Sequence, residues 1–133
     1  MSKIKKDEFV KHQIIEASKV VFKNYGFKKA NMELIAKASG KGRSTLYYYF
    51  ENKDAVFKAF CEDFYEDMLE VIFKQLSPNL TIEKNLNLYT QGRLNQLIVA
   101  LDTYENLLAD IKSDTKFMVH LFRKIKDEEI EII

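Results

Sequence analysis

Apolar residues recur every three or four positions along most of this chain, which is the spacing of an α-helix with one buried face. The first such run, Val10–Tyr25, predicts a helix that ends at Gly26, because glycine accepts the conformation that closes a helix. The same spacing continues in two short segments, 31–38 and 43–49. The first half of the chain is therefore predicted to hold one long helix followed by two short ones.

The second half repeats the helical spacing over longer distances. A run from Val56 to Ile72 predicts a fourth helix, and Ser77-Pro78-Asn79 ends it, with Ser77 as the N-cap and Pro78 as the first residue of the next helix. Helical spacing then continues over 82–111, with a possible interruption at Gly92, and a last helix follows Ser113-Asp114. Four glycines and one proline leave too few turn residues for strand hairpins, so the predicted fold is all-α.

Charge divides the chain near residue 53. Residues 1–53 hold 12 Lys and Arg against 5 Asp and Glu, whereas residues 54–133 hold 9 against 15. A basic first part predicts contact with a polyanion. Lysines that only keep small helices soluble explain the same numbers equally well. We predict two domains, residues 1–53 and residues 54–133.

Composition excludes several classes of protein. Apolar residues make up 47% of the chain, but no apolar run approaches the roughly 20 residues of a bilayer span, and no signal peptide opens the sequence. A cytoplasmic protein without membrane contact is expected. Cys61 is the only cysteine, which excludes an intrachain disulfide and predicts a core residue.

Candidate catalytic residues are missing from the sequence. There is no glycine-rich phosphate loop and no paired His or Cys ligand set, and the two histidines, His12 and His120, fall in different predicted domains. We therefore expect no enzyme activity, no metal and no cofactor.

The segment 31–49 has the pattern of a helix-turn-helix. Asn31 is a good N-cap for the first short helix, and Ser39-Gly40-Lys41-Gly42 forms a tight turn before the second. Two short helices joined by a tight glycine turn are the motif that places a recognition helix in the major groove of DNA.

The helix over 43–49 has distinct faces. Leu46 and Phe50 are four residues apart, so they share one face that packs inward. Three consecutive tyrosines follow Leu46, and an aromatic cluster often belongs to a core. Consecutive residues on a helix point about 100° apart, however, so at least one tyrosine must face outward.

In order along the chain, Tyr25-Gly26-Phe27, Met32–Gly40, Ser44–Phe50, Lys53 and Phe57 resemble the N-terminal DNA-binding domain of TetR-family regulators. The resemblance covers about Phe9 to Phe60. It implies a three-helix DNA-binding head, a long connecting helix four and a helical-bundle regulatory domain that looks incomplete in this chain. It also implies a ligand-responsive repressor that binds a palindromic double-stranded operator as a homodimer and responds to a small-molecule effector.

The resemblance also implies roles for individual residues. The expected base contacts are Arg43, Ser44 and Tyr47. The expected phosphate contacts are Asn31, Lys41, Thr45, Tyr48, Tyr49 and Lys53.

Three positions depart from the family pattern. Asn31 stands where Thr or Ser is usual, Lys41 replaces an apolar residue that packs the turn, and Gly42 replaces a capping Ser or Thr. The recognition helix is therefore expected to begin less firmly, with Lys41 adding charge near the DNA backbone.

The C-terminal part carries the expected effector pocket. Candidate lining residues are Tyr89, Tyr104, Phe117 and His120, although ordinary bundle packing explains the aromatic residues and a surface position explains the histidine equally well. Chains of this family normally continue past this length with the helices that dimerise. If the chain ends at Ile133, after Glu131 and Ile132, dimerisation uses other surfaces or is lost. The alternative function is therefore a truncated helical interaction module that heterodimerises with a full-length regulator.

Overall fold

The computed structural model describes residues 2–132, and their side chains as far as Lys124. Within that range the chain forms seven α-helices and no strand, which confirms the all-α prediction. None of these helices is long and apolar enough to cross a membrane. The predicted apolar end at 131–133 lies outside the described side chains. The helices are α1 Lys3–Tyr25, α2 Met32–Ser39, α3 Arg43–Tyr49, α4 Lys53–Phe73, α5 Ile82–Thr103, α6 Glu105–Ser113 and α7 Thr115–Ile132.

A side-chain oxygen caps the N-terminus of α2, and another caps the N-terminus of α5. Only the cap of α2 agrees with the sequence prediction. Asn31 Oδ1 accepts from the backbone N–H of Leu34 at 2.8 Å, as predicted. The predicted cap at Ser77 is wrong, because Thr81 caps α5. Ser77 instead belongs to a turn held on α5: its N–H donates to Asn85 Oδ1 at 3.1 Å, and Asn85 Nδ2 donates to its carbonyl at 2.9 Å.

The turn between α2 and α3 contains two glycines with different conformations. Gly40 ends α2 in the left-handed region, with φ 69° and ψ 15°. Gly42 precedes α3 with φ −69° and ψ 158°, and no side chain caps the first turn of α3. Helix α3 therefore begins without a side-chain cap, in agreement with the expectation from Gly42.

Restoring a cap should stabilise the protein. We expect Gly42→Ser to raise the free energy of unfolding by about 0.5 kcal/mol, because serine adopts the observed dihedrals and its hydroxyl can accept from the first turn of α3. Nothing lies within 4 Å of the added Cβ. Urea denaturation measures the change. Gly40→Ser is the matched control and should lower stability by about 1 kcal/mol, because it forces a side chain into the left-handed region.

An aromatic core joins the head to the rest of the chain. The ring of Phe22 lies 5.2 Å from that of Phe57 and 5.1 Å from that of Phe60, between ring centroids. The same cluster of buried residues includes Met118 and Leu121 of α7. The core therefore continues across residue 53, and the division into residues 1–53 and 54–133 stays a prediction.

Helix α5 departs most from its predicted packing. It has no buried residue, and Ile82 at its start is 87% exposed. The predicted interruption at Gly92 is wrong, because α5 runs through that position. A Cβ on Gly92 would lie 2.8 Å from Ile72 Cγ1, so the glycine permits a close approach of α5 to α4. The helical spacing that continues to Ile111 is broken instead at Tyr104, between α5 and α6.

Candidate nucleic-acid interface

Two apolar side chains fix the inner face of α3. Leu46 is completely buried and Phe50 is nearly so, and both belong to the main hydrophobic cluster. The sequence prediction for this pair is confirmed. The opposite face of α3 is therefore free to lie on the surface.

The predicted base-contacting residues lie on that exposed side. Arg43 and Ser44 are exposed, and Tyr47 is 42% exposed. The guanidinium carbon of Arg43 lies 5.6 Å from the centroid of the Tyr47 ring, a cation–π distance. Tyr48 is 68% exposed, so it cannot be a core residue. In the part of the chain that the structure describes, none of these side chains is buried under the later helices.

Four predicted site residues from three different regions line one surface concavity. They are Asn31 at the start of α2, Arg43 and Tyr47 on α3, and Lys53 at the start of α4. Asn31 Oδ1 is occupied by the helix cap, which leaves its amide Nδ2 as the group that could donate to a phosphate. Polar and apolar surface contribute about equally to the concavity, and all of its lining residues lie between Ala30 and Lys53.

Lys41 and Thr45 are half-buried members of the predicted phosphate set. The backbone N–H of Lys41 donates to the carbonyl of Ala36 at 3.2 Å, which holds the turn, while no ion pair forms at its side chain within residues 2–124. Thr45 lies on the flank of α3 opposite Arg43 and Tyr47, by its position on the helix. These two residues do not line the concavity.

The hydroxyl of Tyr49 forms a hydrogen bond within the protein that the sequence did not predict. Its hydroxyl donates to Asp7 Oδ1 on α1 at 2.9 Å, and its ring is half-buried. This hydrogen bond raises the pKa of Tyr49, with burial adding to the effect. The hydroxyl proton predicted to meet a phosphate is therefore used within the protein. The sequence could not indicate Asp7, because it lies 42 residues away with no pattern joining the two.

The ammonium of Lys53 also makes contacts within the protein that the sequence did not predict. Its Nζ donates to the carbonyl of Phe27 at 2.7 Å and to that of Lys28 at 3.4 Å, and it lies 4.2 Å from the Phe27 ring centroid. Burial lowers the pKa of Lys53, opposed by the nearby carboxylates of Asp54 and Asp110. The ammonium thus holds the turn after α1 as well as lining the concavity.

Comparison with known proteins agrees with this geometry. The family model for bacterial regulatory proteins of the tetR family matches residues 14–60, which include α2, α3 and the start of α4. Residues 14–60 of this chain are therefore similar to the DNA-binding domain of TetR-family regulators. The matched range lies within the Phe9–Phe60 region in which the sequence resembles that family.

Individual relatives carry regulator names. The chain is 29% identical over 77 residues to the uncharacterized HTH-type transcriptional regulator YhgD of Bacillus subtilis, covering 58% of this chain and 40% of that protein. It is also 29% identical over 77 residues to an HTH-type transcriptional repressor of Mycobacterium tuberculosis, covering 56% and 41%. The chain therefore matches about two fifths of the length of these two relatives.

A solved structure extends the likeness beyond the head. The fatty acid degradation regulator FadR from Bacillus halodurans superimposes with a TM-score of 0.59 at 26% identity, covering 91% of this chain and 68% of that one. The arrangement of the later helices is therefore similar as well.

Helix α6 is attached to the three-helix head by a carboxylate that the sequence did not indicate. Asp110 Oδ2 accepts from the backbone N–H of Phe27 at 2.7 Å and from that of Lys28 at 3.0 Å. The turn after α1 is thus held from two sides, by Asp110 on its amides and by Lys53 on its carbonyls.

Two neighbouring residues of the C-terminal part strengthen this attachment. Asn106 Nδ2 donates to the carbonyls of Lys23 and Asn24, at 2.8 and 2.9 Å, at the end of α1. Asp114 Oδ2 accepts from Lys28 Nζ at 3.2 Å. The N–H of Phe117 and the ammonium of Lys28 together lower the pKa of Asp114.

The four predicted pocket residues do not come together. Only Tyr104 lines the apolar cavity of about 170 Å³ that lies between α4, α5, α6 and α7. Tyr89 stacks on Phe73, with centroids 6.5 Å apart. Phe117 packs near Phe27 at 6.0 Å, and His120 is exposed on α7. The four residues thus have different neighbours, and their role in binding an effector stays a prediction.

Proposed function

We propose that this chain is a DNA-binding transcriptional regulator that acts as a repressor, with α3 as the helix that enters the major groove. The observation that carries the proposal is the concavity in which Arg43 and Tyr47, on the exposed side of a helix anchored by Leu46, lie beside Lys53 at the start of α4. The names of the relatives support the same function.

Contacts divide between bases and phosphates. Arg43, Ser44 and Tyr47 read base edges, since exposed polar and planar groups on a recognition helix meet the donors and acceptors of the major groove. Phosphate contacts give affinity without sequence information. They come from Asn31, Lys41, Thr45, Tyr48 and Lys53, with Tyr49 contributing its ring and the position fixed by Asp7.

Arg43 and Lys53 should affect DNA binding in different ways. We expect Arg43→Ala to relax the preference at one base step of each half-site, a loss of about 1–3 kcal/mol of discrimination. Lys53→Ala should weaken binding to all sequences alike and reduce the salt slope by about one contact per subunit. Mobility shifts with the DNA upstream of the protein's own gene, titrated with salt and unlabelled competitor, measure both effects.

The two variants control for each other. A preference that is unchanged at every operator position in Arg43→Ala would exclude Arg43 from base recognition. An unchanged salt slope in Lys53→Ala would assign that lysine to the turn after α1 alone. Absence of retardation of any duplex by the unmodified chain would overturn the DNA-binding proposal itself.

The proposed DNA-binding unit is a homodimer on a palindromic operator. One head makes few base contacts, whereas two heads about one helical turn of DNA apart read both half-sites. Exposed apolar residues along α5, among them Ile82, Leu86 and Leu97, support an interface with a further chain. Light scattering of the chain at micromolar concentration tests this. A monomer that dimerises only with a full-length regulator would favour the alternative function of a heterodimerising module.

A ligand response is supported by the position of α6. One side of α6 lines the apolar cavity through Tyr104, which precedes it, Leu107 and Ile111, whereas Asp110 holds the head. A molecule in the cavity would therefore shift the helix that positions the turn after α1. We propose that an effector changes DNA affinity through this helix, which requires different affinities of the effector for the two states.

The attachment through Asp110 can be measured without an effector. We expect Asp110→Ala to speed hydrogen exchange at the amides of Phe27 and Lys28 by about tenfold or more, because each loses a hydrogen bond to a charged acceptor. Amides of Leu46 and Phe50 should keep their protection. Exchange followed by NMR decides the matter, and equal acceleration throughout the head would mean that Asp110 supports global stability only.

A further inference from the structure

The cavity between α4, α5, α6 and α7 has a lining chemistry that restricts what it can bind. Within the described part of the chain, no charged residue lines it. We propose that the effector is an uncharged, compact and largely apolar molecule about the size of a substituted benzene ring. This inference rests on the proposed function as a ligand-responsive regulator, and it specifies the chemistry of the ligand.

The volume of the cavity sets the size of the molecule. The cavity offers about 170 Å³ of space and is partly open to solvent. An engineered apolar cavity of about 150 Å³ in another protein stays dry and takes up benzene. A single ring with one or two small substituents therefore fills the space, whereas a long chain or a fused polycyclic compound exceeds it.

Aromatic side chains set the shape that fits best. Phe60, Phe64 and Tyr104 line one part of the cavity. The rings of Phe60 and Tyr104 meet edge to face, 5.3 Å apart at 83°, and Phe64 meets Tyr104 in the same way at 6.2 Å. A planar ring can continue this edge-to-face packing, which adds to the free energy of apolar burial. Leu107 and Leu108 contribute aliphatic surface elsewhere in the lining.

Among the side chains of residues 2–124, no charged group lines the cavity to pair with a charged ligand. Lys19 acts electrostatically on Tyr104, but its Nζ already lies 2.8 Å from Glu16 Oε1 and 2.7 Å from Asp63 Oδ2. Burial is the main cause that raises the pKa of the Tyr104 hydroxyl. Transferring a carboxylate or an ammonium into apolar surroundings without a counter-ion costs far more than a small ring gains by burial.

The lining offers a neutral ligand almost no polar surface. A ligand buried there therefore gains little from hydrogen bonds with the lining, and its own surface must be largely apolar. The cavity is thus specific for charge and size more than for a hydrogen-bonding pattern.

Thermal denaturation of the full chain with three matched probes tests the proposal. Ethylbenzene is neutral, benzylammonium has nearly the same shape with a positive charge, and benzoate carries a negative charge on a similar ring. We expect ethylbenzene near its aqueous solubility to raise Tm by about 3 °C, because it binds the folded state only. The two ions should change Tm by less than about 1 °C at the same concentration.

Two variants locate the binding. Leu108→Trp fills the cavity from its lining and should abolish the Tm shift, whereas Val71→Trp adds the same ring at an exposed position of α4 outside the lining and should leave the shift unchanged. Saturation-transfer NMR of ethylbenzene repeats the comparison at a temperature where all proteins are folded. An equal signal from both variants, or binding of either ion that Leu108→Trp abolishes, would overturn the proposal.

Failure of this inference is distinct from failure of the proposed function. Binding of a duplex to the same samples is measured by mobility shift. If the duplex binds but ethylbenzene neither raises Tm nor shows saturation transfer, the ligand class is wrong and the DNA-binding proposal stands. If the duplex does not bind at any salt concentration, the proposed function fails whatever the probes do.

Discussion

Leu46→Ala should destabilise the protein by about 3 kcal/mol and abolish specific DNA binding, because a fully buried leucine leaves a cavity where α3 meets the rest of the head. Leu46 is the one buried residue of α3, Arg43–Tyr49, so it is the main inward anchor of this helix. The loss should appear as a lower midpoint in urea denaturation with an unchanged slope. DNA affinity is then measured below the new midpoint, where the variant is still folded.

Tyr48→Ala is the matched control on the same helix. Tyr48 is 68% exposed, so its removal should change stability by less than about 0.5 kcal/mol while it weakens DNA binding. Together the two variants separate the role of Leu46 in holding α3 in place from the expected role of Tyr48 in contacting DNA. A Leu46→Ala protein that keeps both its stability and its operator preference would mean that α3 is not held by this face.

Gly26→Ala should be the most disruptive of the glycine substitutions, at about 3 kcal/mol or more, because two independent costs add. Gly26 has φ 77° and ψ −165°, a region that almost only glycine occupies. A Cβ there would also lie 2.7 Å from Asp110 Oδ2 and 2.9 Å from the carbonyl oxygen of Asn106. The substitution therefore strains the backbone and pushes α6 off the head.

Gly40→Ala measures the cost of the backbone conformation alone, without the steric overlap that an added Cβ causes at Gly26. Gly40 also has positive φ, at 69°, but nothing lies within 4 Å of its added Cβ, so this variant should lose only about 1 kcal/mol. Chemical denaturation of both variants gives the comparison. If Gly26→Ala loses no more stability than Gly40→Ala, α6 does not approach the turn as closely as the structure indicates.

Local signals in the sequence were sufficient for the helix-turn-helix. Asn31 as a cap, the tight glycine turn at 39–42, and Leu46 with Phe50 as an inward pair each depend on residues within four positions of one another. Such features follow from helix geometry and backbone conformation alone. They were predicted, and the structure confirms them.

Partners that lie far apart along the chain could not be predicted in this way. Asp7 accepts from Tyr49, and Asp110 accepts from Phe27, across 42 and 83 residues. In the sequence, Asp7 and Asp110 cannot be told apart from ordinary surface aspartates. No spacing pattern along the chain shows that a carboxylate accepts a hydrogen bond from a distant residue. Lys53 was predicted for its place in a motif, but its hydrogen bond to Phe27 follows only from the packing of the turn after α1.

The sequence by itself determined the all-α fold, the two short helices with their glycine turn, and which face of α3 is buried, because helical periodicity and local backbone preferences act over a few residues. Tertiary structure alone decided how α6 holds the head through Asp110, and that the apolar cavity is lined at Tyr104 but not at Tyr89, Phe117 or His120. The physical reason is that a cavity or a long-range hydrogen bond depends on the angles at which helices cross. Those angles are set by the packing of the whole molecule, and no short segment contains them.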